Sequence, residues 1–304
     1  MEKMIFLQIH TIDKSGHGTA ENKLKIALIY DFDGTLSPLN MQEYDFLKSL
    51  HIEKDAFWAE TNELVKKKNA NNVLCYMKLM LEKAAAKHVP VRYKNFVEFG
   101  KSIQLYKGVE QWFDLVNELG RKNDIVVEHY INSSGLKEMI EGTPVYKNFK
   151  QVYASNFMYD ENGVAVWPAV AVDFTTKTQF LFMINKGIKD IRDNHKVNEF
   201  VAEDDRPVPF KHMIYFGDGE TDIPCMRMIK NQGGYAIAVY NPKNKDKKSK
   251  VEKLIQEDRV NFVYPADYSA KGKIYPTVEA IMKLMKSEYD LRQIELKQKE
   301  ETGK

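Results

Sequence analysis

Short apolar runs of strand length alternate along this chain with segments in which apolar residues recur at every third or fourth position. The clearest runs are KIALIY (25–30), IVVEHYI (125–131), MIYFG (213–217) and YAIAVY (235–240). Strands that are joined through helices usually pair in parallel, and the helices then cover the sheet. The pattern therefore predicts an α/β fold in which ligand chemistry lies at the carboxyl ends of parallel strands.

A long helical block interrupts this alternation. Residues 41–103 have apolar side chains at helical spacing and no alternation of β-branched residues. The block puts more residues between Asp31 and Ser133 than a single crossover between strands requires, so we predict an inserted helical domain. We divide the chain into an N-terminal extension (1–22), a core domain (23–40 and 104–290), the insertion (41–103) and a charged C-terminal tail (291–304).

The charge balance and the cysteines narrow the class of protein. The chain has 45 Lys and Arg residues against 43 Asp and Glu residues, which does not indicate a nucleic-acid-binding protein. Cys75 and Cys225 show neither a metal-ligand spacing nor a disulfide framework, which is typical of a reducing compartment. The first 22 residues are too polar for a signal peptide, and no apolar run is long enough to span a bilayer. We therefore expect a cytoplasmic protein with no nucleic-acid or membrane partner.

Two carboxylates directly follow the first apolar run. Asp31 and Asp33 are two residues apart, and Gly34 lets the backbone leave strand geometry so that both can face one pocket. One carboxylate of such a pair can ligate a hard cation and attack phosphorus, while the other gives a proton to the leaving oxygen. A simple Asp-Gly turn is the alternative, which the later acidic residues of the chain disfavour.

A second acidic cluster, GDGETD (217–222), follows the apolar run that precedes Gly217. Its carboxylates are oxygen ligands of the kind that Mg²⁺ prefers, so Asp218 and Asp222 are candidate metal ligands. A helix N-cap at Thr221 or Asp222 is the alternative. Capping would account for one acidic residue and leave Asp218 unexplained.

Hydroxyl and lysine side chains complete a candidate phosphate site. Ser133 and Ser134 come at the end of a predicted strand, and we expect Gly135 to open the next helix. Hydroxyl and backbone N–H groups at such a junction can hold phosphate oxygens, although serine is also a common helix cap. Lys177, at the predicted start of a helix, can offset the negative charge of carboxylates and phosphate. A surface role is the alternative for Lys177, and Lys186 is the reserve candidate.

These four elements, in this order, resemble the motifs of the haloacid dehalogenase (HAD) superfamily of phosphohydrolases. DFDGT (31–35) and GDGETD (217–222) are similar to its first and last motifs. The serines and Lys177 match its other two motifs by their order along the chain. A predicted hairpin at 151–172 is similar to the phosphoserine-phosphatase-like branch. The resemblance implies a Rossmann-like parallel sheet with helices on both faces, and it implies that the helical insertion is a cap domain.

The resemblance also implies roles for the four aspartates. Asp31 would be the nucleophile and a magnesium ligand. Asp33 would be the general acid and base, with its backbone carbonyl on the metal. Asp218 and Asp222 would complete the magnesium site.

For the phosphate group, the resemblance implies that Ser133 binds it and that Lys177 stabilises the phospho-aspartate. Ser134 is the alternative serine, and Gly135 lies beside both. The implied function is a Mg²⁺-dependent phosphohydrolase that cleaves a small-molecule phosphomonoester through an aspartyl-phosphate on Asp31. A phosphotransferase or phosphomutase with the same intermediate, or a non-catalytic module that binds a phosphometabolite, are the alternatives. The sequence indicates neither the substrate nor the oligomeric state.

Overall fold

The computed structural model describes residues 23–303, and the predicted N-terminal extension (1–22) lies outside them. These residues form a seven-stranded sheet with the order β4-β3-β2-β1-β5-β6-β7. Neighbouring strands are parallel except for β3 and β4, which are antiparallel, so the predicted parallel sheet is confirmed. The strands are β1 (Leu24–Tyr30), β2 (Ile125–Leu136), β3 (Gln151–Tyr159), β4 (Ala165–Val170), β5 (Met213–Gly217), β6 (Tyr235–Tyr240) and β7 (Phe262–Pro265).

Helices connect most of these strands, and one long helix follows the last of them. The α-helices of the described residues are α1 (Asp45–Ser49), α2 (Lys54–Lys68), α3 (Asn72–Ala86), α4 (Tyr93–Gly100), α5 (Val109–Lys122), α6 (Lys137–Glu141), α7 (Thr176–Asn185), α8 (Asn194–Asn198), α9 (Ile223–Asn231), α10 (Lys245–Gln256) and α11 (Ile274–Glu301). Within residues 23–303 every helix is too short or too polar to span a lipid bilayer.

The sheet is buried on both faces. Successive residues of a strand point to opposite faces, and along β1 the side chains of Ile26, Leu28 and Tyr30 join one core cluster, whereas Ala27 and Ile29 join the other. Helices α5 and α11 contribute apolar side chains to the first cluster, and α7, α9 and α10 contribute to the second. This confirms the expected core with helices on both faces, and it explains why β1 reads as a continuous apolar run.

Strand β2 is longer than the sequence indicates. Ser133, Ser134 and Gly135 lie inside the strand, and helix α6 starts only at Lys137. The prediction that Gly135 opens the next helix is therefore wrong. The pairing with β3 shifts register between Ser133 and Leu136, as in a β-bulge, so the chain can turn here while it remains a strand.

The helical insertion has the predicted secondary structure. Residues 41–103 contain the 3₁₀ turn Met41–Glu43 and helices α1 to α4, and their apolar side chains join the core cluster that contains α5. The predicted hairpin is formed by β3 and β4, with Gly163 at φ 71° in its turn. Helix α11 runs through the boundary between 290 and 291 that we set between core and tail.

A buried chain of hydrogen bonds ties α5 to β1 and β2. Trp112 Nε1 donates to Tyr30 Oη (2.9 Å), and the single hydroxyl proton of Tyr30 then goes to His129 Nδ1 (3.1 Å). His129 Nε2 consequently carries the ring proton and donates it to Asn117 Oδ1 (3.2 Å). Burial lowers the pKa of His129 to about 3, so the imidazole is neutral in the folded protein at neutral pH.

We expect His129 to make folding stability depend on pH below neutrality. The unfolded chain protonates this histidine below a pH of about 6.5, whereas the folded chain does so only near a pH of about 3. The unfolded state therefore binds more protons in this window, and the free energy of unfolding should fall with falling pH by up to about 1.4 kcal/mol per pH unit. Urea unfolding at a series of pH values gives the free energy of unfolding as a function of pH. This free energy should depend less steeply on pH for His129→Asn than for the native chain. Parallel curves would contradict this assignment.

Candidate active site

Asp31 lies at the carboxyl edge of the sheet, where β1 ends. Its N–H donates to Phe216 O of β5 (2.9 Å), so strand pairing continues through Asp31. Gly34 then turns the chain at φ 79°, and its N–H donates to Ser37 O (2.7 Å). A Cβ at Gly34 would lie 2.1 Å from Asp218 Oδ2. Glycine is therefore required twice at this position, by the backbone conformation and by the close approach of the Asp218 carboxylate.

Lys177 occupies the first turn of α7, and its side chain is fully buried. Its ammonium donates to Asp31 Oδ1 (2.8 Å) and to Asp222 Oδ1 (2.7 Å). Burial disfavours the charged ammonium, but the two carboxylates outweigh burial and hold the pKa of Lys177 above its ordinary value. Burial, opposed by the charge of Lys177, raises the pKa of Asp31 to about 7. Lys186, the reserve candidate, instead donates to the backbone oxygen of Val197 (2.6 Å).

Asp31, Asp218 and Asp222 present carboxylate oxygens that lie within 4.8 Å of one another. Asp222 is oriented from two sides, because Oδ1 also accepts from Tyr215 Oη (2.8 Å) and Oδ2 accepts from Asp218 N–H (3.2 Å). Carboxylates this close repel one another, and a hard divalent cation with oxygen ligands relieves that repulsion. The residues present therefore fit Mg²⁺. The carboxylate of Asp33 is not part of this cluster, and its metal contact through the backbone carbonyl stays a prediction.

Asp33 is held by the start of the helical insertion. The N–H of Met41 donates to Asp33 Oδ1 (3.0 Å). Burial, and after it the negative charge of Asp31, raises the pKa of Asp33 well above its ordinary value. A carboxyl group with a raised pKa keeps its proton to higher pH than usual and can give it to a leaving group, which is the task of a general acid.

The three predicted phosphate-site residues of β2 form one wall of the same cavity. Ser133 Oγ accepts from Gly135 N–H (3.0 Å), and Ser134 Oγ is buried without a hydrogen-bond partner among the described residues. The carbonyl of Ser134 accepts from Tyr76 Oη (2.6 Å). A Cβ at Gly135 would lie 2.2 Å from Met41 Cε and 3.0 Å from Asp33 Oδ2, so a side chain here would displace Met41 and crowd the Asp33 carboxyl. Both serines remain candidates for the phosphate.

The cavity lies between the edge of the sheet and the helical insertion, and its volume is about 600 Å³. This size is in the range of pockets that hold small-molecule ligands. The lining residues are Asp31, Asp33, Asn40, Gln42, Trp58, Asn71, Asn72, Val73, Tyr76, Ser133, Ser134, Gly135, Asp173, Phe174, Asp218, Glu220, Thr221 and Lys247.

Lys247 of α10 is a member of the site that sequence reasoning missed. Its ammonium forms an ion pair with Asp218 Oδ2. Burial opposes the charge of Lys247, but the carboxylate of Asp218 outweighs burial and raises the pKa of Lys247. The lysine belongs to the lysine-rich run 243–250, and no local pattern distinguishes it from its neighbours.

Asn71 is a second residue that sequence reasoning missed. Its Oδ1 accepts from Leu74 N–H (3.2 Å) and so caps α3, while its Nδ2 donates to Asp173 Oδ2 (2.8 Å). Asp173 in turn accepts from the N–H of Thr176 (3.0 Å) at the start of α7. The insertion is thus joined to the helix that carries Lys177. Asparagine before an apolar helical run is a capping signal that could have identified the first of these contacts.

Comparison with known proteins agrees with this geometry. The model of the haloacid dehalogenase-like hydrolase family matches residues 28–227, a range that includes all of the predicted site residues. A protein of Borreliella burgdorferi described as uncharacterized is 28% identical in an alignment of 281 residues that covers 82% of this chain and 94% of that protein.

Two solved structures share the fold. A HAD family hydrolase from Salmonella enterica serovar Typhi has a TM-score of 0.50 at 12% identity, over 83% of this chain and 70% of that one. A Vibrio cholerae protein described as a probable phosphoserine phosphatase has a TM-score of 0.52 at 11% identity, over 88% of this chain and 67% of that one. At such low identity the likeness concerns the fold alone, which is the one that the motifs indicated.

A comparison of Gly34 with Gly163 separates the effect of the close contact with Asp218 from the effect of backbone strain. Gly34 and Gly163 both adopt positive φ, at 79° and 71°, but a Cβ at Gly163 would meet nothing within 4 Å. We expect Gly163→Ala to destabilise the fold by about 1 kcal/mol through backbone strain alone. Gly34→Ala should destabilise the fold by more, because its methyl group also meets the Asp218 carboxylate. Only Gly34→Ala should weaken Mg²⁺ binding, by about ten-fold or more, because its methyl group displaces Asp218. Urea unfolding and calorimetric titration with Mg²⁺ measure both effects, and equal Mg²⁺ affinity of the two variants would exclude Asp218 as a ligand.

Proposed function

Because the chain belongs to the haloacid dehalogenase-like hydrolase family, we propose that it is a Mg²⁺-dependent phosphohydrolase that cleaves a small-molecule phosphomonoester. One observation carries the proposal: the buried ammonium of Lys177 contacts both Asp31 and Asp222 at the edge of a cavity lined by serine hydroxyls. A carboxylate fixed by an ammonium beside anion-binding groups is suited to accept a phosphoryl group and to stabilise the charge that develops on it.

The proposed metal ligands are the carboxylates of Asp31, Asp218 and Asp222, together with the backbone carbonyl of Asp33. Support for the three carboxylates comes from the proximity of their oxygens, all within 4.8 Å. When bound, Mg²⁺ supplies positive charge against the phosphoryl oxygens.

Asp31 is the proposed nucleophile. Its Oδ1 is engaged by Lys177, which leaves Oδ2 to attack phosphorus. The bond from phosphorus to the ester oxygen breaks as the bond to Asp31 forms, and Asp33 gives its proton to the departing oxygen. A water molecule then attacks the aspartyl-phosphate, Asp33 takes up a proton from that water, and inorganic phosphate leaves with the Asp31 carboxylate restored.

Lys177 and the wall of β2 are the proposed phosphate-binding groups. The ammonium of Lys177 already contacts the oxygen of Asp31 and stays beside it when the phosphoryl group is attached. The hydroxyl of Ser133 accepts from Gly135 N–H and keeps its own proton to donate to a phosphate oxygen. Ser134 Oγ lacks a partner among the described residues and can donate in the same way.

Residues 41–103 are the proposed cap over the core formed by 23–40 and 104–290. The insertion supplies Trp58 and Tyr76 to the wall of the cavity, and Asn71 joins it to Asp173 of the core (2.8 Å). A wall of this kind excludes water from the reacting groups and limits which leaving groups fit. The expected substrate is therefore a small phosphate ester.

We expect Asp31→Asn to abolish phosphate release. The amide is nearly the same size as the carboxylate but is not a nucleophile, so Mg²⁺-dependent hydrolysis of p-nitrophenyl phosphate should fall by at least about 1000-fold. Asp114→Asn is a matched control, because Asp114 is an exposed aspartate on α5, and it should retain native activity. Residual activity of Asp31→Asn near the native level would exclude the aspartyl-phosphate. A native chain that binds Mg²⁺ and releases no phosphate from a panel of esters would exclude the hydrolase.

We expect Asp33→Asn to discriminate between leaving groups. The amide can still accept from Met41 N–H but has no proton to give, so alkyl phosphates, whose alkoxides need protonation, should lose about 100-fold or more in kcat/KM. The loss for p-nitrophenyl phosphate should be much smaller, because p-nitrophenolate departs as a stable anion. An equal loss for both esters would show that Asp33 does not protonate the leaving group.

A further inference from the structure

The side chains that line the cavity besides Asp31, Ser133 and Ser134 indicate the chemical class of the leaving group. This inference rests on the proposed function, since it concerns the alcohol that the proposed hydrolysis releases. The cavity lining includes amide and aromatic side chains from the insertion (Gln42, Trp58, Asn71, Asn72 and Tyr76), from Asn40 just before it, and from Phe174 in the loop before α7. These side chains contain no cation.

The charges of the lining disfavour a negatively charged leaving group. Among the described side chains that line the cavity, Lys247 is the one cation, and its ammonium is already paired with Asp218 at the metal end. Carboxyl groups are more numerous in the lining and include Asp173 and Glu220. A carboxylate or a second phosphate on the leaving group would lose its hydration there without gaining a cationic partner.

The described residues of the lining also offer no free counterion to a positively charged leaving group. The carboxylate of Asp173 is occupied, since it accepts from Asn71 Nδ2 (2.8 Å) and from the N–H groups of Thr175 (3.1 Å) and Thr176 (3.0 Å). Glu220 is exposed to solvent at the rim, where a salt bridge contributes little. Neither carboxylate is a buried and unpaired partner for an ammonium group.

Gln42 offers the hydrogen-bonding group that such a leaving group would need. The side chain is 1% exposed, it lines the cavity, and its Oε1 has no hydrogen-bond partner among residues 23–303. An unpaired buried acceptor is unfavourable, and a hydroxyl donor on the ligand removes this cost. Gln42 directly follows Met41, whose N–H holds the Asp33 carboxyl, and Gln42 and Asp33 line the same cavity.

The aromatic side chains contribute ring surface more than hydrogen bonds. Trp58 Nε1 donates to Glu43 Oε1 (2.9 Å), and Tyr76 Oη donates to Ser134 O (2.6 Å), so both polar groups are already used. Phe174 has no polar group, and its side chain is half exposed at the cavity. Such faces suit the C–H surface of a carbon skeleton.

From these observations we infer that the substrate is the phosphate monoester of an uncharged, hydroxyl-bearing alcohol of the sugar or polyol class, and that Gln42 recognises a hydroxyl of its leaving group. The aromatic wall packs on the carbon skeleton of that alcohol. The cavity of about 600 Å³ accommodates a leaving group of this size.

A pair of substrates that differ only in one charge tests the inference with the native chain. Sorbitol 6-phosphate and 6-phosphogluconate are open-chain esters that differ in a terminal CH₂OH or carboxylate. We expect kcat/KM to be about ten-fold or more higher for sorbitol 6-phosphate, because the carboxylate finds no cation in the cavity. Phosphoserine and phosphoethanolamine extend the comparison to zwitterionic and cationic leaving groups, and both should also be poorer substrates than sorbitol 6-phosphate.

Substitution of Gln42 tests its assigned role. Gln42→Leu and Gln42→Met remove the amide while they keep an apolar side chain of similar size. Each should lower the ratio of kcat/KM for sorbitol 6-phosphate to kcat/KM for p-nitrophenyl phosphate by about ten-fold. Gln256→Leu is the matched control, because Gln256 is an exposed glutamine at the end of α10, and it should leave the ratio unchanged.

The outcomes separate this inference from the proposed function. Hydrolysis of p-nitrophenyl phosphate together with a preference for 6-phosphogluconate, phosphoserine or phosphoethanolamine would overturn the inference and leave the phosphohydrolase intact. An unchanged ratio in both Gln42 variants would overturn the role of Gln42. A native chain that releases no phosphate from any of these esters would overturn the proposed function and the inference with it.

Discussion

The candidate site depends on one buried ammonium, that of Lys177. Without it, Asp31 and Asp222 would be carboxylates in an interior that solvates neither, and the loss of one partner from a buried ion pair typically destabilises a protein by about 3–5 kcal/mol. The ammonium groups of Lys177 and Lys247 compensate the three carboxylates of Asp31, Asp218 and Asp222 only in part. The same interaction therefore stabilises the folded site and leaves it negative enough to attract a divalent cation.

The parallel sheet brings this lysine and its partners together from distant parts of the sequence. Lys177 is separated by 146 positions from Asp31 and by 45 from Asp222. Strands β1 and β5 are neighbours, so the residues that follow them meet at one edge. Glycines make the approach close enough, since a Cβ at Gly217 would lie 2.5 Å from the carboxyl carbon of Asp222. Glycine at the end of β5 thus lets the carboxyl group of Asp222 lie close to the backbone of that strand.

The sequence predicts well those features whose signals are local. DFDGT and GDGETD each combine a strand end, a turn residue and carboxylates within a few positions, and the structure brings Asp31, Asp218 and Asp222 into one cluster. Gly135 was wrongly predicted to open a helix, because the sequence does not distinguish a strand that continues through a register shift from a strand that ends. Lys247 and Gln42 could not be found from the sequence, because only the tertiary structure distinguishes them. Lys247 forms an ion pair with Asp218, and Gln42 is buried with an unpaired side-chain oxygen among the described residues.

The insertion is attached at two points to the groups that we propose to react, and this would couple the fit of a substrate to the proposed chemistry. At its start, Met41 N–H holds Asp33 Oδ1, and at the start of α3, Asn71 contacts Asp173, which caps the helix of Lys177. Any displacement of the insertion relative to the sheet therefore acts on Asp33, the proposed proton donor, and on the ammonium of Lys177 together. Because Gln42 follows Met41 directly, a leaving group that contacts Gln42 also contacts the segment that positions Asp33. Recognition of the leaving group and its protonation thus depend on the same short stretch of backbone.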